Sequence, residues 1–279
     1  MKRYKPYTPV RRKMTTVDYS GLTKARPMKQ ALRTLKRRVG RNSSGRITTR
    51  HKGGGAKRRY RLIDLKQLDK MGVPGRVESI EYDPNRSAFI MKVLYADGDR
   101  RYLLAPKDVS VDSSVLAAEA APLKTGNRMM LKNIPVGYAV HNVELQRGRG
   151  GAIIRSAGSE AQVLAQEGIY AHLKLPSGEV RRVIATNFAS LGQVSNPDHN
   201  LVVVGKAGRK RKMGIRPTVR GSAMNPVDHP YGGGEGKQRR GTKRPKDIWG
   251  NVTGGHRTRN KKKWSNKMIV KRRVKKKKK

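Results

Sequence analysis

The sequence predicts a mainly β fold, two small barrels in the middle of the chain with a long basic extension on either side. Three observations carry this prediction: the placement of charge, a series of short β-rich runs, and the scarcity of helical periodicity. The formal net charge is +46, from 65 Lys and Arg against 19 Asp and Glu. Residues 1–60 hold 20 basic and 1 acidic side chains, residues 61–200 hold 18 and 15, and residues 201–279 hold 27 and 3. The middle is balanced like an ordinary globular domain, whereas the flanks are too self-repelling to compact unaided.

Within the middle, Tyr60–Leu65, Arg76–Tyr82, Ala88–Tyr95 and Arg101–Leu104 are short runs rich in β-formers. Asp83-Pro84-Asn85 and Ala96-Asp97-Gly98-Asp99 supply turns between them. A second series follows the looser stretch Asp112–Lys124. It comprises Arg128–Leu131, Gly151–Ser156, Gln162–Ala165, Ile169–Leu175, Val180–Ala185 and Leu201–Val204. In Ile169–Leu175 the apolar Ile169, Ala171, Leu173 and Leu175 alternate with Tyr170, His172 and Lys174, the pattern of a half-buried strand. Short strands at this spacing favour small barrels over a parallel α/β sheet. Only Met28–Val39 has the pattern of a helix, amphipathic and basic. These readings divide the chain into a basic extension at 1–60, one barrel at 61–125, a second at 126–200, and a Gly-rich basic extension at 201–279.

A chain this basic is expected to live bound to a polyanion, and nucleic acid leads because Lys and Arg neutralise phosphates and release counterions. No stretch approaches the ~20 apolar residues of a membrane-spanning helix, and Met1–Lys5 lacks the apolar run of a secretory signal. Cysteine is absent, which excludes a disulfide framework and thiolate metal sites. The extensions carry Gly53-Gly54-Gly55, Gly232-Gly233-Gly234 and Gly254-Gly255 among Arg, Lys and Pro. Such glycines suggest a chain that passes close to another backbone in RNA crevices rather than a merely neutralising tail.

Enzyme signatures fail one by one. A phosphate-cradling loop ending at Gly236-Lys237 would need glycine at Tyr231 and Ser or Thr at Gln238. A dinucleotide fingerprint from Gly148 and Gly150 would need glycine at Ile153, so those glycines read as a tight turn. The six histidines, His51, His141, His172, His199, His229 and His256, form no His-x-x-x-His pair. One dense polar constellation remains, Asp228-His229-Pro230-Tyr231 followed by Gly232-Gly233-Gly234-Glu235. On paper His229 is a weak candidate for a general base. Adjacent side chains on an extended loop point apart, so the favoured reading is a histidine that hydrogen-bonds or stacks on RNA.

Three long segments together resemble the ribosomal protein L2 family. The first runs from Gly205-Lys206-Ala207-Gly208-Arg209 through Arg216-Pro217-Thr218-Val219-Arg220-Gly221 to Ala223-Met224-Asn225-Pro226-Val227-Asp228-His229-Pro230-Tyr231-Gly232-Gly233-Gly234-Glu235-Gly236. The second runs from Ile134-Pro135 and Val140-His141-Asn142-Val143-Glu144-Leu145 through Arg155-Ser156-Ala157-Gly158 to Leu175-Pro176-Ser177-Gly178-Glu179-Val180-Arg181. The third runs from Gly40-Arg41-Asn42 and Gly45-Arg46-Ile47-Thr48 through His51 and Gly53-Gly54-Gly55 to Lys57-Arg58 and Tyr60-Arg61. The resemblance implies an oligonucleotide-binding-type barrel followed by an SH3-like barrel. It also implies binding to large-subunit rRNA near the peptidyl-transferase region, contact with small-subunit rRNA at an inter-subunit bridge, neighbouring ribosomal proteins as partners, and no membrane. No metal site and no cofactor follow, beyond Mg²⁺ shared with rRNA. Proportions of the bacterial type, with no visible transit peptide, imply a ribosome of the bacterial cytoplasm before an organellar one.

The expected rRNA-binding residues in the first extension are Arg41, Arg46, Arg50, His51, Lys52, Gly53, Gly54, Gly55, Lys57, Arg58 and Arg59. In the second they are Lys206, Arg209, Lys210, Arg211, Lys212, Arg216, Arg220, Asn225, His229, Tyr231, Gly232, Gly233, Gly234 and Lys237. The position of His229 has been proposed as catalytic in the family, whose reaction centre is understood to be RNA. This chain departs from the family pattern at Tyr231, where many members have a second histidine, which weakens a two-histidine scheme and keeps a flat face for stacking. Lys212-Met213 replaces a common Trp-Leu pair, Ser43-Ser44 stands where asparagine is usual, and Ala56 replaces a frequent histidine.

Other function classes fit less well. A chromatin-like DNA binder would share the charge but is usually helical, and relative affinity for folded rRNA and duplex DNA at one salt concentration separates the two. An RNA-modifying enzyme lacks its methyl-donor, nucleotide and metal motifs. A membrane-active cation is at odds with the near-neutral core.

Overall fold

The computed structural model describes residues 1–236, 240–255 and 258–273; Lys237, His256 and the terminal run Lys275–Lys279 lie outside the described residues. By contact the chain forms two compact units. One comprises Met1–Lys36, Lys57–Lys206 and Lys267–Lys279; the other comprises Arg37–Ala56 and Ala207–Asn266. Among the described residues no helix is long and apolar enough to cross a membrane.

The first unit contains the β core. Gly75–Glu81, Ile90–Tyr95 and Arg100–Leu104 form consecutive antiparallel strands, and Ser114–Val115 pairs with the free edge of Gly75–Glu81. The turn Ala96–Asp99 closes one hairpin, with Gly98 at φ 84°. Val77, Met91, Val93, Tyr95, Leu103, Ala105, Val109 and Val115 fill this barrel. Alternation explains the burial: Val77 points in while Arg76 and Glu78 face outward, and a bulge near Glu78 shifts the register thereafter.

The second sheet has seven antiparallel strands in the order Ile269–Lys271, Val180–Ile184, Tyr170–Lys174, Ala161–Glu167, Ala139–His141, Phe188–Leu191, Arg128–Met130. Its core is built on Met129, Leu131, Ile134, Val140, Val143, Val163, Leu173 and Leu191. A cluster of Ala88, Leu104 and Val194, with Ile63 and Leu65 against it, joins the two barrels. Ser195 N–H donating to Ala105 O, and Lys107 N–H to Gln193 O, add main-chain links. The fold is therefore mainly β, an oligonucleotide-binding-type barrel followed by an SH3-like one.

Three local expectations are corrected. Met28–Val39 is not a helix: Lys29–Ala31 makes one 3₁₀ turn, and Leu32–Arg33 pairs with Tyr60–Arg61. Met28 N–H donates to the Tyr102 hydroxyl and Ala31 packs on Ile90 and Tyr102, so tertiary anchoring defeats a helix that would stack Lys29, Arg33 and Arg37 at like-charged i,i+4 spacing. Leu201–Val204 is not a sheet strand either. Pro197–Leu201 is 3₁₀, and Val203 exchanges main-chain and side-chain bonds with Thr15. Ile169, expected inward, is 68% exposed because the strand begins at Tyr170. Conversely Ala139–His141, Phe188–Leu191 and Ile269–Lys271 are strands with little pattern of their own.

The motif Val140-His141-Asn142-Val143-Glu144 is explained by burial. Arg128 Nη2 meets Glu144 Oε1 at 2.9 Å with both side chains out of water, and Arg128 Nη1 donates to Asn142 O at 2.9 Å. Burial pulls the guanidinium's pKa down and Glu144 opposes it. The glycines around Arg149 do form a tight turn, and the anion it cradles is internal: Gly150 N–H and Gly148 N–H donate to the Glu144 carboxylate at 3.1 and 3.4 Å.

His141 is buried with Nδ1 2.9 Å from Gly192 O, and its pKa is pushed down from 6.5 to about 4, chiefly by burial. The unfolded chain therefore takes up this proton first as pH falls. Stability is full above pH 6.5 and declines toward pH 4, by about 2 kcal/mol between pH 7 and pH 5. Urea unfolding of the β core at those two pH values is expected to show this difference in the parent chain and to lack it in His141→Gln. An equal difference in both proteins would remove His141 as its source.

Candidate nucleic-acid interface

The second unit draws 23 Lys and Arg and only 3 Asp and Glu from the sequence. Main-chain bonding, rather than a hydrophobic core, ties its two segments together. Lys52 bridges Ile215, Gly53 N–H donates to Gly214 O at 3.0 Å, Arg216 N–H to His51 O at 3.0 Å, and Ala56 N–H to Lys212 O at 2.9 Å. Arg37 clasps the glycine run from one side, donating to Gly54 O, Gly55 O and Ala56 O. Gly55 has to be glycine here. A Cβ would stand 2.9 Å from Gly214 N and 3.1 Å from Lys212 O, and its φ is 85°.

Arg209, Lys210, Arg211 and Lys212 occupy the last turn of the short helix Ala207–Lys212, the end where the helix dipole favours cations. Arg211 is half-buried and its Nη1 has no protein partner. Arg41, Arg46, Arg50, Lys52, Arg216 and Arg220 are exposed in the same unit. Lys57, Arg58, Arg59 and Lys206 are also exposed but belong to the first unit. Lys237 lies outside the described residues.

The loop carrying His229 is folded on itself. Asn225 O accepts the N–H groups of Asp228 and His229, Gly232 N–H donates to His229 O at 2.8 Å, and Gly233 N–H to Met224 O at 3.0 Å. A Cβ on Gly232 would lie 2.2 Å from Asn225 O, so its close approach is to the loop's own backbone. The His229 ring is buried, its Nδ1 accepts Tyr231 N–H at 3.1 Å, and the two rings sit 4.8 Å apart. Tyr231 hydroxyl in turn accepts Lys246 N–H, and Arg240 lies over its ring. His229 is thus a packing and hydrogen-bonding element at the base of the loop, while Val227 at its tip is 90% exposed. Among the described residues no group of three or more His, Asp or Glu side chains is placed to hold a metal ion.

The structure adds residues that sequence reasoning missed. Trp249 is 74% and Trp264 63% exposed, beside Lys246 and Lys261–Lys263, an arrangement suited to base stacking. The signal was legible: both tryptophans of the chain stand in its most basic third, away from any apolar periodicity. Val39 and Ile47, isolated aliphatic residues in a cationic stretch, are also displayed rather than buried.

Comparison with known families gives two matches. Residues 28–117 match the model for Ribosomal Proteins L2, RNA binding N-terminal domain, and residues 124–250 match that for Ribosomal Proteins L2, C-terminal domain.

Proposed function

The chain belongs to the ribosomal protein L2 family, and on that premise we propose that it seats itself in large-subunit rRNA near the peptidyl-transferase region. Membership makes it a large-subunit ribosomal protein that binds RNA. The finer reading is that it supports subunit association and tRNA placement, touches small-subunit rRNA at an inter-subunit bridge, and packs against neighbouring ribosomal proteins. Mg²⁺ shared with rRNA phosphates is the ion this reading admits, and a bacterial cytoplasmic ribosome is its setting.

The observation that carries the reading is the second unit itself, whose sequence holds 23 Lys and Arg against 3 Asp and Glu and whose two segments are tied by main-chain hydrogen bonds. Exposed cations such as Arg50, Lys52 and Arg216 on a bonded backbone suit a folded polyanion whose phosphates are equally fixed. The candidate contacts are the exposed cations of both extensions, with Trp249 and Trp264 as stacking surfaces.

Peptidyl transfer is left to rRNA in this reading, and His229 acts through the loop it holds. Large subunits reconstituted with His229→Ala should therefore form in lower yield, yet react at nearly the parental rate once normalised for occupancy. A catalytic base contributes about 10²–10⁴-fold. A hundredfold slower single-turnover step at full occupancy and normal tRNA binding would overturn the assignment.

A further inference from the structure

The second unit carries an open cavity of about 510 Å³ between the hairpin around Arg41–Ile47, the segment Thr49–Gly54 and Arg216. Its lining has two characters. Val39 and Ile47 give an apolar wall with the His51 imidazole beside it, while Arg41, Arg50, Lys52 and Arg216 supply cations. No carboxylate lines it. The volume falls in the range of about 300–1,000 Å³ typical of small-ligand sites.

The cavity is held open by backbone. Arg41 and Ile47 pair across a turn in which Asn42 Oδ1 accepts Ser44 Oγ–H and Arg46 N–H, and Gly40 O accepts the N–H groups of Thr48 and Thr49. Arg216 N–H anchors the opposite wall on His51 O. Val39 and His51 both sit in left-handed backbone, at φ 43° and 61°, a conformation uncommon for any residue but glycine and an outlier for a β-branched one. Such strain persists only where the surroundings fix it, and it concentrates at ligand sites.

A phosphate alone would need the cations and not the apolar wall; an apolar ligand would need the wall and not the cations. A nucleotide needs both. We propose that this cavity receives one unstacked RNA nucleotide, its base against Val39, Ile47 and His51 and its phosphate among Arg50, Lys52 and Arg216. Paired bases cannot present themselves this way, so the site selects a bulge or an open loop. The proposal rests on the RNA-binding reading above and adds to it the form of RNA recognised.

The test uses the full chain and two RNA hairpins at one salt concentration, identical except that one carries a single bulged 2-aminopurine. The bulged hairpin is expected to bind roughly tenfold tighter, the scale of one base-stacking contact, with a change in the emission of the bulged base. Ile47→Gln removes the apolar wall at a side chain that is 58% exposed, so folding is spared. Val39→Gly removes the same wall and relieves the left-handed backbone. Both variants should bind the two hairpins equally while keeping the parental affinity for the paired one. Equal binding of both hairpins by the parent chain, or a bulge preference that survives both variants, overturns the nucleotide site and leaves the RNA-binding reading standing. Failure to bind either hairpin at low salt would overturn both.

Discussion

Glu144→Gln is expected to lower the melting temperature of the β core by roughly 10 °C. The substitution leaves the Arg128 guanidinium, 1% exposed, without its counter-charge. It also turns an amide N–H₂ toward a site where Gly150, Gly148 and Phe188 already direct their main-chain N–H groups at the carboxylate. Breaking one side of a buried pair costs about 3–5 kcal/mol, and for a unit of this size each kcal/mol is worth about 2–4 °C. Arg128→Met alone should cost a similar amount, because Glu144 then loses its cation. The double variant Arg128→Met with Glu144→Leu should recover much of the loss, since an apolar pair of similar volume avoids desolvating two charges. Thermal melts followed by circular dichroism measure all three. A single variant that melts within a degree or two of the parent would show that the pair does not hold the second barrel together.

The second large effect is electrostatic. Affinity for a large-subunit rRNA fragment is expected to fall about 10³–10⁵-fold between 50 and 200 mM salt, the loss that accompanies six to ten phosphate contacts. Changing Arg209, Lys210, Arg211 and Lys212 together to glutamine should reduce the slope of log affinity against log salt by about 3, at roughly 0.7–0.9 per phosphate contact removed. Lys210 and Lys212, both exposed at the cation-favouring end of the helix, make that turn a candidate for phosphate contacts. An unchanged slope in filter-binding titrations would mean that the turn faces away from RNA.

Much of this was written in residue type. The charge partition separated the β core from cationic flanks, because a core must balance its carboxylates: Glu78 meets Lys92 and Arg100, and Arg101 meets Asp64, Asp69 and Asp99. Short runs rich in β-formers, such as Gly75–Glu81, were legible to within a residue or two. Ala139–His141 was not, since its place in the sheet depends on two partners distant in sequence, Ala161–Glu167 and Phe188–Leu191. The Met28–Val39 pattern misled because only its first part is anchored on the β core, through Met28 and Ala31, while Leu35 and Val39 are exposed.

By itself, then, the sequence determined a β core, two cationic flanks and a nucleic-acid partner; composition and local turn chemistry suffice for these. Only the tertiary structure decided that residues 37–56 fold with 207–266, that the Gly148–Gly150 turn binds Glu144, and that His229 is buried beneath its own loop. The physical reasons are two. The first depends on main-chain hydrogen bonds between segments far apart in sequence, and the other two on burial, which the residue types of a turn do not report.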